Sequence, residues 1–130
     1  MKLGAIEAGG TKFVVCIGDE FGNVIERDSF PTETPEETMA NIFKFFDGKD
    51  IEALGVGCFG PIDPDLNSPT YGYITTTPKP GWGNFNIMGA LKERYDIPMG
   101  FDTDVNGAAL GEAYFGAAKG WYRNWMWCYC

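Results

Sequence analysis

The sequence predicts an α/β fold in which a mixed sheet is covered by helices. Three patterns lead there: three short apolar runs at the start with tight turns and no helix between them, one sharply bounded helix signal beginning at Thr34, and an alternation of strand and helix after it. Leu3 to Glu7 is the first apolar run, broken by Ala8-Gly9-Gly10, and Lys12 to Ile17, rich in Phe and Val, is the second. Residues 18–23 read as a loop, and Val24 to Phe30 alternates loosely as a third strand. Strands joined by turns this short pair antiparallel.

The helix signal is specific. Thr34 stands at the N-cap, Pro35 at the first helical position and Glu37 at the third, the spacing of a capping box. Met39, Ile42, Phe43 and Phe46 follow as one apolar stripe, and Asp47-Gly48 ends it. Ile51 to Phe59 reads as a buried strand closing on Gly60-Pro61. Residues 60–86 are dense in Gly, Pro, Thr, Asn and aromatics without helical period, and read as a surface loop long enough to have a task. A second helix is predicted over Phe85 to Tyr95, a short strand over Met99 to Phe101, and a third helix over Val105 to Gly116. In that third helix Gly107, Ala108, Ala109, Gly111 and Ala113 would allow close packing. The order is β-β-β-α-β-(loop)-α-β-α.

Composition narrows the function. The 130 residues suit one domain, and 45% hydrophobic with 22% charged residues is a globular balance. Ten basic residues against 18 acidic give a net charge of −8, which repels nucleic acid and anionic membrane surfaces. A local set of amides, a lysine and a metal ion can still hold a nucleotide phosphate. No apolar run approaches the roughly 20 residues that span a bilayer. The four cysteines, Cys16, Cys58, Cys128 and Cys130, lack C-x₂-C spacing, and a cytoplasmic location is expected. Histidine is absent, so Ser-His-Asp and Cys-His chemistry is excluded.

Three stretches can carry chemistry. In Glu7-Ala8-Gly9-Gly10-Thr11-Lys12, two glycines at a hairpin tip let backbone amides approach an anion, Thr11 adds a hydroxyl and Lys12 a positive charge. Glu7 could hold Mg²⁺ directly or through water. The spacing fits neither a Walker loop nor a dinucleotide fingerprint, and an ordinary Gly-Gly turn would look the same. In Asp102-Thr103-Asp104-Val105-Asn106, a carboxylate between strand and helix could take a proton from a substrate hydroxyl, although Asp at a helix start is also a common N-cap. The third stretch runs from Gly57-Cys58-Phe59-Gly60-Pro61 to Thr75-Thr76-Thr77-Pro78-Lys79-Pro80-Gly81-Trp82. Its hydroxyls, main-chain groups and indole suit a sugar; Trp82 and Phe85 equally suit plain packing. Lys44, Lys49 and Arg94 read as solvated charges.

Taken in order, the glycine hairpin, Gly-Cys-Phe-Gly-Pro, Pro-Lys-Pro-Gly-Trp and Thr-Asp-Val-Asn followed by an Ala-Leu-Gly-Glu helix resemble the ROK sugar kinases over about residues 2–120. Glu7, where many members have Asp, together with Thr-Thr-Thr-Pro-Lys-Pro-Gly-Trp, is more similar to the bacterial fructokinase branch. The resemblance implies a ribonuclease-H-like lobe of the actin-like ATPase superfamily over residues 1–120. It also implies ATP-dependent phosphorylation of a hexose, D-fructose to fructose 6-phosphate, with Asp104 as general base. By the same resemblance Gly9, Gly10, Thr11 and Lys12 bind ATP phosphates, and Glu7 occupies the acidic position beside Mg²⁺. Gly60, Pro61, Gly81 and Asn106 fall in the sugar-contacting segments. The implied partners are MgATP, a small sugar and a second copy in a homodimer, with no nucleic acid and no membrane.

The departures are as informative. After Lys119-Gly120 the chain runs Trp121-Tyr122-Arg123-Asn124-Trp125-Met126-Trp127-Cys128-Tyr129-Cys130, an atypical tail that reads as out of frame. The family's second phosphate loop, adenosine pocket and His/Cys zinc segment do not follow, so no zinc is expected here and the fragment is expected to be inactive alone. The alternatives are a non-catalytic sugar- or phosphate-binding fragment, or glucokinase or mannokinase specificity. A ROK repressor would need a helix-turn-helix ahead of the first strand, which already opens at Leu3.

Overall fold

A computed structural model of the chain describes residues 2–19, 21, 23–59, 61–63, 65–77 and 79–103. Strands β1 (Lys2–Ala8), β2 (Lys12–Asp19) and β3 (Val24–Pro31) form the expected antiparallel meander. Helix α1 (Pro35–Phe46) leads to β4 (Ala53–Cys58), which lies parallel to β1. Two short strands, β5 (Tyr73–Ile74) and β6 (Phe85–Asn86), pair as a small ribbon. Helix α2 (Ile87–Arg94) then feeds β7 (Met99–Thr103), parallel to β4. The main sheet has the order β3-β2-β1-β4-β7, so antiparallel and parallel pairings meet at β1. The helix expected over Val105 to Gly116 and the tail 121–130 lie outside the described residues.

One face of the sheet carries the core. Ile6 and Ala8 of β1, Phe13, Val15 and Ile17 of β2, Leu54, Val56 and Cys58 of β4, and Met99 and Phe101 of β7 pack with Met39, Ile42 and Phe46 of α1 and Ile87, Met88 and Leu91 of α2. Burying a side chain such as Leu, Ile or Phe stabilises by about 1.5–3 kcal/mol, so this layer dominates the favourable side of folding. Gly4 lets α1 come close: a Cβ there would lie 2.9 Å from Ile51, 3.0 Å from Leu54 and 3.0 Å from Phe46. The opposite face is also buried, at Leu3, Ala5, Val14 and Cys16.

Both helices start on side-chain caps. The Thr34 hydroxyl accepts from the Glu37 N–H at 3.3 Å and donates to the Glu37 carboxylate at 3.2 Å. This differs from the reciprocal capping box in that the Glu37 carboxylate meets the cap's hydroxyl; one residue earlier, the Glu33 N–H donates to the buried Thr38 hydroxyl at 3.0 Å. The second helix begins two residues later than the periodicity predicts. The Asn86 side chain accepts from the Gly89 N–H at 2.8 Å, and that cap releases Phe85 and Asn86 to the ribbon.

Polar ties close the outer seams. Asp47, at the end of α1, accepts from both Arg94 and, at 2.6 Å, the Tyr95 hydroxyl, while the Arg94 guanidinium lies 4.5 Å from the Phe43 ring centroid. Lys49 pairs with Glu26 of β3 at 2.6 Å. Arg94 is exposed, as the sequence suggests, and Lys49 is half-buried; both also hold acidic partners that the chain returns to them from distant positions. Lys44 is exposed as expected. Among the described residues no helix is long and apolar enough to cross a membrane.

Two outcomes follow for stability. Hydrogen bonds from Arg94 and Tyr95 hold the Asp47 carboxyl at about 2, below its ordinary 3.8. A carboxyl depressed in the folded state stabilises it above the unfolded value, and that contribution disappears as pH falls through about 2. Asp47→Asn should therefore lower Tm near neutral pH by an amount that shrinks towards pH 2, within the modest range of an exposed ion pair. A Tm difference independent of pH would assign the stabilisation to another group. Gly4→Ala should cost about 1–3 kcal/mol through overpacking, read as a lower urea midpoint at unchanged slope.

Candidate functional site

Because β1, β4 and β7 run parallel, their C-terminal ends share one end of the sheet, with Ala8, Cys58 and Thr103 in a single register row. Open α/β sheets bind ligands beyond such ends. In sequence, Ala8 is followed by Gly9-Gly10-Thr11-Lys12, Cys58 by Phe59-Gly60-Pro61, and Thr103 by Asp104. Asp104, Asn106 and Gly60 lie outside the described residues. The remaining residues marked by the sequence are in view.

The tip between β1 and β2 is closed by the Gly9 N–H donating to the Lys12 carbonyl at 3.0 Å. A Cβ at Gly9 would lie 2.6 Å from that carbonyl oxygen, whereas one at Gly10 would meet nothing within 4 Å. Gly9 thus serves the turn, and Gly10 leaves the tip open. Gly10, Thr11 and Lys12 are exposed. The tip is braced from behind by Thr32, whose N–H donates to the Thr11 carbonyl at 2.9 Å and whose hydroxyl donates to the Gly9 carbonyl at 2.7 Å. Sequence reasoning passes over Thr32, since a threonine between a strand and a helix carries no spacing signal.

Glu7 is 6% exposed, on the sheet face away from the helix-covered core. Its register neighbours are Val14 on β2 and Gly57 on β4, and Gly57 in turn pairs with Asp102. Gly57 contributes no side chain to that row. Among the described residues no group of three or more His, Cys, Asp or Glu gathers to hold a metal ion by itself.

The segment read as a surface loop is anchored inward. The Pro61 carbonyl accepts both the Thr75 N–H at 2.8 Å and the Thr75 hydroxyl at 3.1 Å, and Ile62 bridges Ile74. Trp82 is fully buried, as is Ile74. The indole N–H of Trp82 donates to the Glu33 carbonyl at 2.9 Å. Its ring lies 5.5 Å from Phe13, 5.9 Å from Phe59 and 5.4 Å from Phe85. The packing reading of Trp82 is the correct one. Gly81, just before it, is exposed at φ +84, and a Cβ there would lie 3.2 Å from Pro35. Farther out, the Ser68 and Thr70 hydroxyls hold the Asp63 carboxyl below its ordinary range.

The structure thus brings Gly9–Lys12 and Pro61 to the same end of the sheet, with Gly81 fastened to them through Trp82. A groove of about 490 Å³ lined by Phe43, Ala90, Glu93 and Arg94 lies elsewhere, between α1 and α2, and none of the marked residues line it.

The family model described as the ROK family matches residues 3–126. The fructokinase of Pediococcus pentosaceus is 55% identical over 119 residues, covering 92% of this chain and 41% of that protein. The fructokinase of Lactococcus lactis subsp. cremoris is 56% identical over 109 residues, covering 84% and 38%. The chain therefore spans about two fifths of the length of the curated relatives it matches. The ROK family glucokinase from Streptomyces griseus, solved with glucose and AMPPNP, superposes with a TM-score of 0.67 at 26% identity, covering 92% of this chain and 38% of that one. The mixed sheet and this superposition give the actin-like ATPase fold.

Trp82→Ala should cost about 3–5 kcal/mol of stability by chemical denaturation. Trp82→Phe, which keeps a ring but loses the indole N–H, should fall between wild type and Ala. Equal stability of Phe and wild type would show that the bond to Glu33 contributes nothing.

Proposed function

Because the chain belongs to the ROK family, we propose that it supplies the N-terminal lobe of a hexose kinase that phosphorylates D-fructose to fructose 6-phosphate with MgATP. The observation that carries the reading is the gathering of the open glycine hairpin and the Pro61–Trp82 segment beyond the C-terminal ends of parallel strands. Fructose is favoured over glucose by 55% identity to a fructokinase against 26% to the glucokinase structure.

The roles follow from the chemistry. Amides at Gly9, Gly10 and Thr11 and the charge of Lys12 receive the ATP phosphates at the exposed tip. Glu7 is a hard oxygen donor on the strand that leads into that tip, and suits Mg²⁺ directly or through water. When bound, the ion would neutralise phosphate charge. Gly60, Pro61, Gly81 and Asn106 are assigned to the sugar. Asp104 accepts the proton of the fructose 6-hydroxyl as that oxygen bonds to the γ-phosphorus and the bond from phosphorus to the ADP oxygen breaks. Positioning and charge stabilisation supply most of the acceleration. The adenosine side falls to residues beyond the two fifths covered here, so the chain alone is proposed to be inactive.

The test is a coupled assay with fructose and MgATP on the chain alone and on the chain joined to the C-terminal part of the Pediococcus pentosaceus relative. The joined protein should turn over fructose, and Asp104→Asn should lower its kcat by about 10²–10⁴-fold with KM little changed. An unaltered kcat would remove Asp104 as the base. Preference for glucose or mannose would overturn the sugar, and binding without turnover would favour a binding module.

A further inference from the structure

We infer that Thr32 is a positioning residue that aims the phosphate hairpin. The inference rests on the proposed reading of Gly9–Lys12 as phosphate-binding and deepens it.

The geometry begins with two carbonyls. Those of Gly9 and Thr11 are both bonded to Thr32, one by its hydroxyl at 2.7 Å and the other by its N–H at 2.9 Å. A peptide unit is planar and trans, so its C=O and N–H point in opposite directions. With the Gly9 carbonyl drawn back to Thr32, the Gly10 N–H is turned to the opposite side of the same peptide plane. That is the residue beside which an added Cβ would meet nothing within 4 Å. An amide facing open space at a glycine is what a phosphate oxygen needs.

The brace is itself held. Thr32 is 9% exposed. Next to it, the Glu33 N–H donates to the Thr38 hydroxyl of α1 at 3.0 Å and the Glu33 carbonyl accepts the Trp82 indole at 2.9 Å. Thr32 therefore transmits the position of α1 and Trp82 to the tip, and without its hydroxyl the Gly9–Gly10 peptide is free to rotate.

The experiment uses the chain joined to the C-terminal part of the Pediococcus pentosaceus relative, which completes the adenosine side, and compares wild type, Thr32→Val, which keeps the shape and removes the hydroxyl, and Thr32→Ser, which keeps the hydroxyl. Amide exchange of Gly9, whose N–H closes the same turn onto the Lys12 carbonyl, reads the brace through the firmness of the turn, and the shift of the Gly10 amide on titration with MgATP reads the phosphate site. Thr32→Val should speed Gly9 exchange and weaken MgATP by about fivefold each, the effect of one lost hydrogen bond, with far-UV circular dichroism unchanged. Thr32→Ser should stay within about twofold of wild type on both. Normal Gly9 exchange in Thr32→Val, or a Thr32→Ser variant as impaired as Val, overturns the brace whatever the tip binds. Faster exchange with no Gly10 response to MgATP in the wild type overturns the phosphate reading, and with it Thr32's positioning role. If Thr32→Val is unfolded by circular dichroism, Thr32→Ser decides alone: wild-type exchange and binding support the brace, and impairment of both overturns it.

Discussion

The buried indole of Trp82 is the constraint on which the arrangement of the candidate site depends. Its ring touches Phe13, directly after the glycine hairpin, and Phe59, directly before Gly60-Pro61. Its N–H reaches the Glu33 carbonyl, next to the Thr32 brace. A large flat side chain with one donor is suited to this, since its faces bury apolar surface while its edge satisfies a carbonyl that would otherwise lose water. Three segments distant in sequence are thereby referred to one side chain, and Gly81 is carried into place as its covalent neighbour.

The two parts of the site are held by different forces. The tip is backbone bonded to backbone, with Thr32 adding one hydroxyl, so its shape depends little on which side chains it displays. The Pro61–Trp82 segment has little regular structure and is positioned by burial of Ile74 and Trp82 and by the paired bonds from Thr75. The net charge of −8 does not oppose the proposed phosphate role, because amides and a lysine at a tip act within a Debye length, about 8–10 Å, beyond which more distant acids are screened.

The strand meander, α1 and its stripe of Met39, Ile42 and Phe46 were legible because they obey simple periods, and the cap at Thr34 has a sequence signature. The parallel pairings of β4 with β1 and of β7 with β4 follow from α1 and α2, one in each connection. Less was legible between residues 60 and 86. Gly, Pro and Thr suggest surface there, but Ile74 and Trp82 are drawn inward by neighbours no local window contains. Asn86 hid the start of α2 because its capping competes with the apolar pattern that begins at Phe85. Of the site, the hairpin and Gly-Pro segment could be found from glycine spacing, and Glu7 from its position. Thr32 could not, since its importance lies in bonds across 21 and 23 residues to Thr11 and Gly9. The acidic partners of Arg94 and Lys49 were hidden for the same reason.

The meeting of antiparallel and parallel strands at β1 bears on how the molecule assembles. Ala8 finds Phe13 across a short bend, whereas Leu3 must wait for Ala53, and Leu54 for Met99. Closing long loops slows folding more than closing short ones. The glycine hairpin therefore takes shape in the earliest local events, and the Pro61–Trp82 segment settles only once the distant parallel contacts have condensed around it.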